Sequence, residues 1–485
     1  MEAFSDLKTP SFVIDEAAVR DNIHTICLTD KSQMQSDSYV RSYYLNGGGN
    51  LWTYRFGIDE HTDTLLKNLS ESVGELSFSS SVFYIKDIAD DVTRIRDLDF
   101  DSETNTIDRV VARLEYHLTK ALFRYITGQR FGFVRPQYLL NRIDTVDSSS
   151  SKPEYRRLFD VDIERPDTVF YASAMQYVRE GRIGELFRYA QPQDTLYYRL
   201  ASELRTASTD DYRKKLICNM ERCRWREKGR IKPSGKFVVV NIPALSLYAF
   251  NGGSNVLTMK IGCGAIRTKT PLLTSAIERM DVNPVWNIPK SIVEKEVAIH
   301  AGDAGYFERN NYHIINRATS EQMEPEDVTS EMFKSGKYRV FQEGGEGNSM
   351  GRIVFRFANN FSVYLHDTSS KSVFNRSNRC VSHGCVRVQM PYELAEFLLD
   401  NPDEWLLDRL RISMDMCPKT SRGLKYISKE GNNRKLVNTL SVKPSVPLFI
   451  IYNTVCPDEN GRLCTYPDVY GYDDIIYQEI KLFLN

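Results

Sequence analysis

The chain has 485 residues, of which 41% are hydrophobic and 26% charged, and its formal net charge is −1. This length predicts more than one domain, and the composition is ordinary for a globular protein. The near balance of charge argues against nucleic acid or an anionic membrane as a partner recognised through bulk charge. The first ten residues, MEAFSDLKTP, contain neither a basic segment nor an apolar run, so they do not predict a signal peptide.

Helical patterns dominate the chain up to about residue 230. The clearest pattern covers residues 106–130, where apolar residues recur three, four and seven positions apart and predict one amphipathic helix. Residues 63–76 and 173–189 carry weaker versions, and the serine run at 148–151 predicts a loop. The histidines of this half have no cysteine or paired carboxylate nearby and are interpreted as ordinary residues: His24, His61 and His117. We therefore predict a mostly helical scaffold domain over residues 1–232.

The composition changes at Pro233, after which short β-branched or alternating runs follow one another. The runs FVVVNI, LSLYAF and VLTMKI fall between residues 237 and 261 and predict consecutive strands. Further on, the patterns predict a strand at 446–454 and short helices at 391–400 and 473–483. We predict a β-rich domain over residues 233–485, which makes the chain a multidomain α+β protein. Residues 291–350 are polar without a strand period, as is typical of a long insertion.

The stretch at residues 364–388 contains two histidines and two cysteines, side chains that can act in catalysis. The alternation from Phe361 to Leu365 predicts a half-buried strand, and His366 stands where this strand gives way to a polar run. Nineteen positions later, Cys385 ends the sequence Ser-His-Gly-Cys. A cysteine attacks only as its thiolate, so it needs a base or a positive neighbour. His366 is the predicted base if the chain folds back, and His383 is a second candidate.

Gly384 lets the backbone approach closely, so that neighbouring N–H groups can form an oxyanion hole. Two other interpretations compete with catalysis. In the first, Cys385 is a buried structural cysteine. In the second, it binds zinc together with Cys380, His383 and His366. No CxxC pair is present and the spacing fits no common zinc module, so we predict no metal and no other cofactor.

The nine cysteines are odd in number and irregularly spaced, so they imply no disulfide framework. Cys456 and Cys464 flank Asp-Glu-Asn-Gly, a hairpin-turn signal. These two are expected to face each other across two strands, either as a disulfide or as unpaired thiols. Cys380 is interpreted as a small packing residue.

The stretch around Cys385 resembles the active-site signature of the L,D-transpeptidases with a YkuD-type catalytic domain. That signature is a histidine, a spacer of this length, Ser/Thr-His-Gly-Cys, a hydrophobic residue and Asn or Arg. It is filled in turn by His366, Ser382, His383, Gly384, Cys385, Val386 and Arg387. The final arginine, together with Tyr-Leu-His-Asp-Thr before the spacer, is similar to the YcbB-like branch. The segments VVVNIPALSLYAF and NPVWNIP continue the resemblance.

The resemblance implies a peptidoglycan L,D-transpeptidase. Cys385 would attack the L–D amide of a tetrapeptide donor stem, D-alanine would leave, and the amine of an acceptor stem would resolve the thioester into a 3-3 cross-link. His366 would take the thiol proton, or the pair would rest as thiolate and imidazolium. Asp367 would orient the imidazole through its carbonyl or its carboxylate. The residues expected to contact substrate are Arg387, Tyr364, Ser382, Asp367 and Trp286. Arg387 suits a stem carboxylate, although a buried ion pair is an equal alternative.

The expected partners are donor and acceptor tetrapeptide stems, with carbapenem β-lactams as covalent inhibitors. The resemblance also implies that residues 291–350 cap the active site. It implies a periplasmic or cell-envelope location, with a signal or membrane anchor removed from this chain. Rival functions are an L,D-carboxypeptidase, an enzyme that attaches proteins to the wall, and a non-catalytic wall-binding scaffold. An NlpC/P60-like peptidase is disfavoured because its cysteine usually precedes its histidine.

Overall fold

The computed structural model describes residues 14–54, 57–58, 60–147, 153–228, 235–430 and 435–484. Within these ranges the buried apolar side chains form two large cores and a smaller third one. The serine run at 148–151 and the predicted transition at Pro233 lie outside the described residues. No helix in the described ranges is both long enough and apolar enough to cross a membrane.

The first core is built by helices that pack around one long helix. The elements in this part of the described chain are α1 (Glu16–Thr29), α2 (Asp37–Leu45), β1 (Thr53–Tyr54), β2 (Gly57–Ile58), α3 (Glu60–Glu75), α4 (Ile85–Asp97), α5 (Ile107–Phe131), α6 (Pro136–Leu140), β3 (Thr145–Asp147), β4 (Glu154–Tyr155), β5 (Phe159–Asp160), α7 (Thr168–Arg179), α8 (Ile183–Ala190), α9 (Thr195–Thr206) and α10 (Asp210–Arg224). Several helices begin at a side chain that accepts hydrogen bonds from the first turn. These caps are Asp15, Asp167, Asp194 and Thr209.

The helix predicted over residues 106–130 is confirmed as α5. The pattern predicted one apolar face, but the polar face is buried as well, because its charged side chains are paired inside the domain. Arg124 donates to both carboxylate oxygens of Asp37, at 2.8 and 2.9 Å. Glu115 accepts hydrogen bonds from the backbone of Trp52 and Thr53, each at 3.1 Å. A buried charge is tolerated only when it is paired in this way.

The prediction of one helix over residues 173–189 is wrong in one respect, because this range is divided between two helices. α7 and α8 are separated at Gly181, whose φ of +68° lies in the left-handed region that favours glycine. The helices predicted at 63–76 and 391–400 are confirmed as α3 and as the helix that begins at Pro391.

The remaining elements build the β-rich part and its insertion. They are β6 (Phe237–Asn241), β7 (Ser246–Asn251), β8 (Ser254–Gly264), β9 (Leu272–Val282), β10 (Trp286–Asn287), α11 (Lys290–Ile292), α12 (Ala304–Arg309), β11 (Tyr312–Asn316), β12 (Gln322–Met323), α13 (Ser330–Lys334), β13 (Tyr338–Gln342), β14 (Ile353–Phe357), β15 (Leu365–His366), β16 (Cys380–Ser382), β17 (Val386–Val388), α14 (Pro391–Leu398), α15 (Glu404–Ser413), α16 (Ser421–Glu430), β18 (Thr439–Ile451), β19 (Val455–Pro457), β20 (Leu463–Thr465) and α17 (Tyr472–Ile480).

The second core lies within a sheet that closes on itself. Its strand order is β14-β15-β17-β8-β7-β6-β18-β9, and β14 also pairs with β9. Most neighbours are antiparallel, but β15 and β17 are parallel, as are β6 and β18. β16 pairs in parallel with the end of β8. The predicted strand over residues 361–365 is shorter than expected, because Ser362 adopts a φ of +54° and interrupts the extended chain.

The multidomain α+β class, with a helical region before a β-rich domain, is confirmed. The exact boundary at 232/233 stays a prediction, and segments from both sides of it pack in the opposite core. Phe159 and Ile163 lie in the core of the sheet, whereas Val455 and Ile480 lie in the core of the helices. In addition, β5 pairs in parallel with β9. The two parts therefore share secondary structure as well as a surface.

The insertion is an ordered subdomain that contains strands, although its sequence has no strand period. Its antiparallel sheet has the strand order β10-β13-β11-β12, and its core includes Phe307, Phe333 and Val340. The pairing of Trp286 with Gln342 places its start before residue 291. Aromatic residues and short strands made the pattern too irregular to recognise.

The two ends of the insertion lie side by side. A Cβ atom at Gly344 would come within 2.2 Å of the carbonyl oxygen of Asn283, so glycine is required for this close approach. The side-chain amide of Asn348 donates to the carbonyls of Pro284 at 3.2 Å and Glu343 at 2.8 Å. The insertion is thus attached through a narrow two-stranded stem.

The hairpin predicted around residues 456–464 is confirmed as β19 and β20, with Cys456 directly opposite Cys464. Both are free thiols. Their sulfur atoms have different hydrogen-bond partners. Sγ of Cys456 accepts from the side-chain amide of Asn241 at 3.3 Å, and Sγ of Cys464 donates to the carboxylate of Asp458 at 3.7 Å.

Candidate active site

Parallel strands β15 and β17 bring the histidine and the cysteine to one place. His366 is the register partner of Arg387, and the N–H of Val386 donates to the carbonyl of Tyr364 at 2.9 Å. Cys385 directly precedes β17. Because side chains two residues apart point to the same face of a sheet, Cys385 and Arg387 share a face with His366.

His366 is buried, at 4% exposure, and its ring is held by a backbone carbonyl. Nδ1 is hydrogen-bonded to the carbonyl oxygen of Asp367. A carbonyl only accepts, so Nδ1 carries the proton and a neutral ring has its lone pair on Nε2. Burial lowers the pKa of His366 to about 4, although the Asp367 carbonyl opposes this shift. The imidazole is therefore neutral near pH 7 and able to accept a proton.

The carboxylate of Asp367 is engaged within the protein. It accepts hydrogen bonds from the N–H groups of Arg352 at 2.8 Å and Thr368 at 2.7 Å, and from the ammonium group of Lys371. Gly351, with a φ of +62°, leaves the space for it, since a Cβ there would lie 2.5 Å from the carboxylate. Asp367 therefore orients His366 through its carbonyl and braces the strand through its carboxylate. Its contact with substrate stays a prediction.

The thiol of Cys385 is partly exposed, and its Sγ lies 3.9 Å from the carbonyl oxygen of Ser362. Burial raises the pKa of Cys385, while the N–H of Tyr364 and the charges of Arg356 and Arg387 oppose this shift. A raised thiol pKa beside a lowered imidazole pKa favours the neutral pair over thiolate and imidazolium.

The Ser-His-Gly-Cys loop is held by its own serine. The Ser382 hydroxyl donates to the carbonyl of Cys385 at 2.5 Å and accepts from the N–H of Gly384 at 3.1 Å. Ser382 is buried and braces the loop, and its contact with substrate stays a prediction. Since the Gly384 N–H is already used, the N–H of Cys385 is the better oxyanion donor. It donates no hydrogen bond within the described part of the chain.

A second loop, residues 265–271, supports the first one. The hydroxyl of Thr268 donates to the carbonyl of Ser382 at 2.7 Å, and that of Thr270 donates to the carbonyl of Gly384 at 2.8 Å. The Tyr470 hydroxyl fixes the start of this second loop by donating to the carbonyl of Gly264 at 2.6 Å. Sequence reasoning assigned no role to these threonines, because a threonine in a loop carries no pattern of its own.

His383 faces the insertion. Its Nε2 lies 2.6 Å from a carboxylate oxygen of Glu296, which belongs to a short irregular helix at Val293–Val297. Both side chains are about half exposed, at 49% and 51%. Glu296 was missed because the segment Val-Glu-Lys-Glu-Val resembles any charged surface helix.

Family models match both parts of the chain. Residues 235–410 match the model described as the L,D-transpeptidase catalytic domain, YkuD, and residues 37–204 match the model described as the Scaffold domain. Residues 235–410 are thus similar to the L,D-transpeptidase catalytic domain. A putative L,D-transpeptidase of Haemophilus influenzae is 29% identical over 238 residues. That match spans 49% of this chain and 44% of the relative's length.

Two solved structures are also similar to this chain. An L,D-transpeptidase from Mycobacterium smegmatis has 12% sequence identity and a TM-score of 0.20. The aligned region covers 44% of this chain and 58% of the Mycobacterium smegmatis chain. L,D-transpeptidase 1 of Mycobacterium tuberculosis has 10% identity and a TM-score of 0.18, covering 45% and 61%.

Three more residues were predicted to contact substrate: Arg387, Tyr364 and Trp286. Arg387 is half-buried, and its buried Nε has no hydrogen-bond partner among the described residues. The Tyr364 ring lies under the guanidinium of Arg356, 4.3 Å from its centroid. Trp286 lies in β10, with its ring centroid 6.5 Å from that of Tyr312. Their contacts with substrate stay predictions.

Proposed function

We propose that the chain is a peptidoglycan L,D-transpeptidase of the YcbB-like branch that forms 3-3 cross-links through a Cys385 thioester. The proposal rests above all on one observation: Cys385 and His366 share a face of neighbouring parallel strands, with Nδ1 of the ring held by a carbonyl. Arg387 in the signature and the match to the Scaffold domain support the assignment to this branch.

Acylation begins when Nε2 of His366 takes the proton of Cys385 as Sγ attacks the carbonyl carbon of the L–D amide in a tetrapeptide stem. The N–H of Cys385 stabilises the oxyanion, which costs little reorganisation because the loop is already fixed by Ser382. The C–N bond then breaks, and the proton on His366 passes to the amine of the departing D-alanine. The product is a thioester on Cys385.

The second half of the reaction uses the amine of an acceptor stem. The amine attacks the thioester carbon and loses a proton to His366, the C–S bond breaks, and the proton returns to Cys385. Arg387, with its buried and unpartnered Nε, holds a carboxylate of the stem as a charge-assisted pair. The insertion caps the site through Glu296 and His383. This reaction places the enzyme in the cell envelope, and carbapenems acylate the same cysteine.

Purified disaccharide-tetrapeptides test the proposal. The full chain is expected to release D-alanine and form 3-3 linked dimers, identified by mass spectrometry of the products. Cys385→Ala abolishes both products, whereas Cys464→Ala, in the hairpin that carries no part of the site, retains them. Tripeptides without dimers would indicate an L,D-carboxypeptidase instead. A chain that gives no product and no carbapenem adduct would be a non-catalytic scaffold.

A further inference from the structure

We propose that Cys263 and Cys380 are a redox pair that closes to a disulfide and ties the nucleophile's loop to the sheet. The pair lies outside the catalytic machinery, and Cys380 is five residues from Cys385 along the chain. From the sequence, Cys380 was interpreted as a packing residue, with a zinc ligand as the competing interpretation. The inference concerns the chemistry of the fold and holds whichever acyl acceptor the enzyme uses.

The geometry of β8 and β16 brings the two cysteines together. The strands run parallel, and Cys380 is the register partner of Cys263. Neighbouring strands lie about 4.8 Å apart, within the range of about 4.4–6.8 Å for Cα atoms joined by a disulfide. The sulfur atoms are 3.5 Å apart. Closure therefore requires rotation of the side chains and no rearrangement of the strands.

The environment of the pair assigns a different part to each thiol. Cys263 is completely buried, whereas Cys380 is partly exposed and open to a reagent. The thiol of Cys263 donates to Sγ of Cys380, and this hydrogen bond, with the charge of Arg379, lowers the pKa of Cys380. Thiol–disulfide exchange proceeds through the thiolate. Cys380 is thus the attacking thiol and Cys263 the resolving one.

The oxidant is an external disulfide, of the class that oxidised glutathione represents. The Cys380 thiolate attacks one sulfur of the reagent, which forms a mixed disulfide and releases one thiol. Cys263 then loses its proton and attacks Sγ of Cys380, which forms the protein disulfide and releases the second thiol. Two protein thiols are oxidised, and one reagent disulfide is reduced to two thiols.

The cross-link would act on the part of the chain that presents Cys385. β16 is only three residues long and ends at Ser382, whose hydroxyl and carbonyl organise the Ser-His-Gly-Cys loop. The closed ring would run from β8 through the insertion and β15 back to β16. A disulfide that closes a long loop restricts the unfolded chain, so the oxidised protein should melt at a higher temperature.

The test begins with the full chain, reduced and then equilibrated with oxidised glutathione. Free thiols are blocked after unfolding, and disulfide-linked peptides are mapped by mass spectrometry, in the wild type and in Cys385→Ala to remove a competing thiol. The expected result is a single linked peptide pair containing Cys263 and Cys380, with a higher melting temperature than the reduced protein. Cys456→Ala is the matched control. Cys456 and Cys464 also lie opposite each other on paired strands, but each sulfur is hydrogen-bonded to a different residue. This variant should behave as the wild type.

Cys380→Ala should lose both the linked peptide and the response of the melting temperature to oxidation. The inference is overturned if the wild type keeps Cys263 and Cys380 alkylatable after oxidation, or if Cys380 links to another cysteine. Mapping of the wild type alone decides the matter should the variant fold poorly. Muropeptide turnover of the reduced wild type is measured separately, so failure of the proposed reaction and failure of the disulfide are distinct results.

Discussion

At the scale of single residues, burial is the main influence on the protonation of both Cys385 and His366. His366 has a pKa lowered to about 4, and the pKa of Cys385 is raised, each mainly by burial. Both groups are therefore neutral in the resting enzyme near pH 7. This differs from cysteine enzymes in which a thiolate is stored as an ion pair.

The first prediction concerns the alkylation of Cys385 by iodoacetamide as a function of pH. Only the thiolate reacts, so the rate should keep rising through neutral pH, with a midpoint above the ordinary cysteine value. Mass spectrometry of the Cys385 peptide measures the rate. A plateau already reached in mildly acidic solution would mean that the pair rests as thiolate and imidazolium. Alkylation of exposed Cys417 provides the internal reference.

The second prediction compares the two histidines. His366→Ala should slow carbapenem acylation by about 10²–10⁴-fold, the usual contribution of a general base. His383→Ala should slow it much less, because His383 is half exposed and hydrogen-bonded to Glu296. Stopped-flow acylation rates of the two variants decide the order. A larger loss in His383→Ala would make that residue the base.

The sequence was sufficient to single out Cys385 and His366 as the predicted nucleophile and base, but it did not reveal the residues that support them. Cys385 and His366 were found because a histidine, a fixed spacer and Ser-His-Gly-Cys form a pattern. Thr270 and Glu296 were missed because each acts through a contact between distant segments. Asp367 contacts His366 through its carbonyl and the neighbouring backbone through its carboxylate. This difference depends on atomic positions, which the sequence does not contain.

At the scale of elements, the insertion is a separate unit on a narrow stem. The third prediction replaces residues 286–342 with Asn-Gly. Trp286 and Gln342 are opposite each other in an antiparallel pair, so a two-residue turn can join their neighbours. The β core should keep its melting behaviour, and Cys385 should still react with iodoacetamide. Muropeptide turnover should fall sharply, because a cap orders substrate and excludes water. Undiminished cross-linking by the shortened chain would contradict a capping role.

The fourth prediction tests the hydrogen bond between Glu296 of the insertion and His383 of the Ser-His-Gly-Cys loop. Glu296→Ala should raise KM for muropeptides by about 2–10-fold, the range expected for one hydrogen bond, and leave carbapenem acylation nearly unchanged. Glu294→Ala is the matched control, since Glu294 lies in the same short helix but pairs with Lys290 at 3.5 Å. Equal KM values for the two variants would remove the role assigned to Glu296.

Short strands explain why the insertion was the poorest part of the prediction. β10 and β12 have two residues each, too few for an alternating pattern to be recognised. By contrast, α5 extends over 25 residues, and its apolar spacing repeats often enough to be unmistakable. The charged residues buried on the other face of α5 are paired with residues far away in the chain. Such pairs leave no local pattern in the sequence.

At the scale of the whole molecule, the helical part contains a histidine that makes stability depend on pH. His117 is stacked on Tyr84 with ring centroids 4.2 Å apart. Burial and the charges of Arg113, Lys120 and Arg124 lower its pKa to about 4. The unfolded chain binds this proton at about pH 6.5. The stability contribution of neutral His117 is therefore complete above that value and is lost as the pH falls towards 4.

The fifth prediction follows from this loss of stability at low pH. His117→Phe keeps the stacking on Tyr84 and removes the proton, so it should lose less stability than the wild type on acidification. The difference should be roughly 2 kcal/mol between about pH 7 and pH 5. Thermal unfolding at the two pH values measures it. His24→Asn, at an exposed position, is the control, and equal acid sensitivity of wild type and His117→Phe would contradict the assignment.

The stem at Asn283 and Gly344 has a consequence for how such enzymes diverge. Because the entry and exit of the insertion are adjacent, its length is independent of the spacing between the strands it interrupts. Recombination at this one junction can exchange the whole unit, or a deletion can shorten it, without shifting the register of β9 against β14. Substrate range and catalytic chemistry can therefore evolve under separate selection within a single gene.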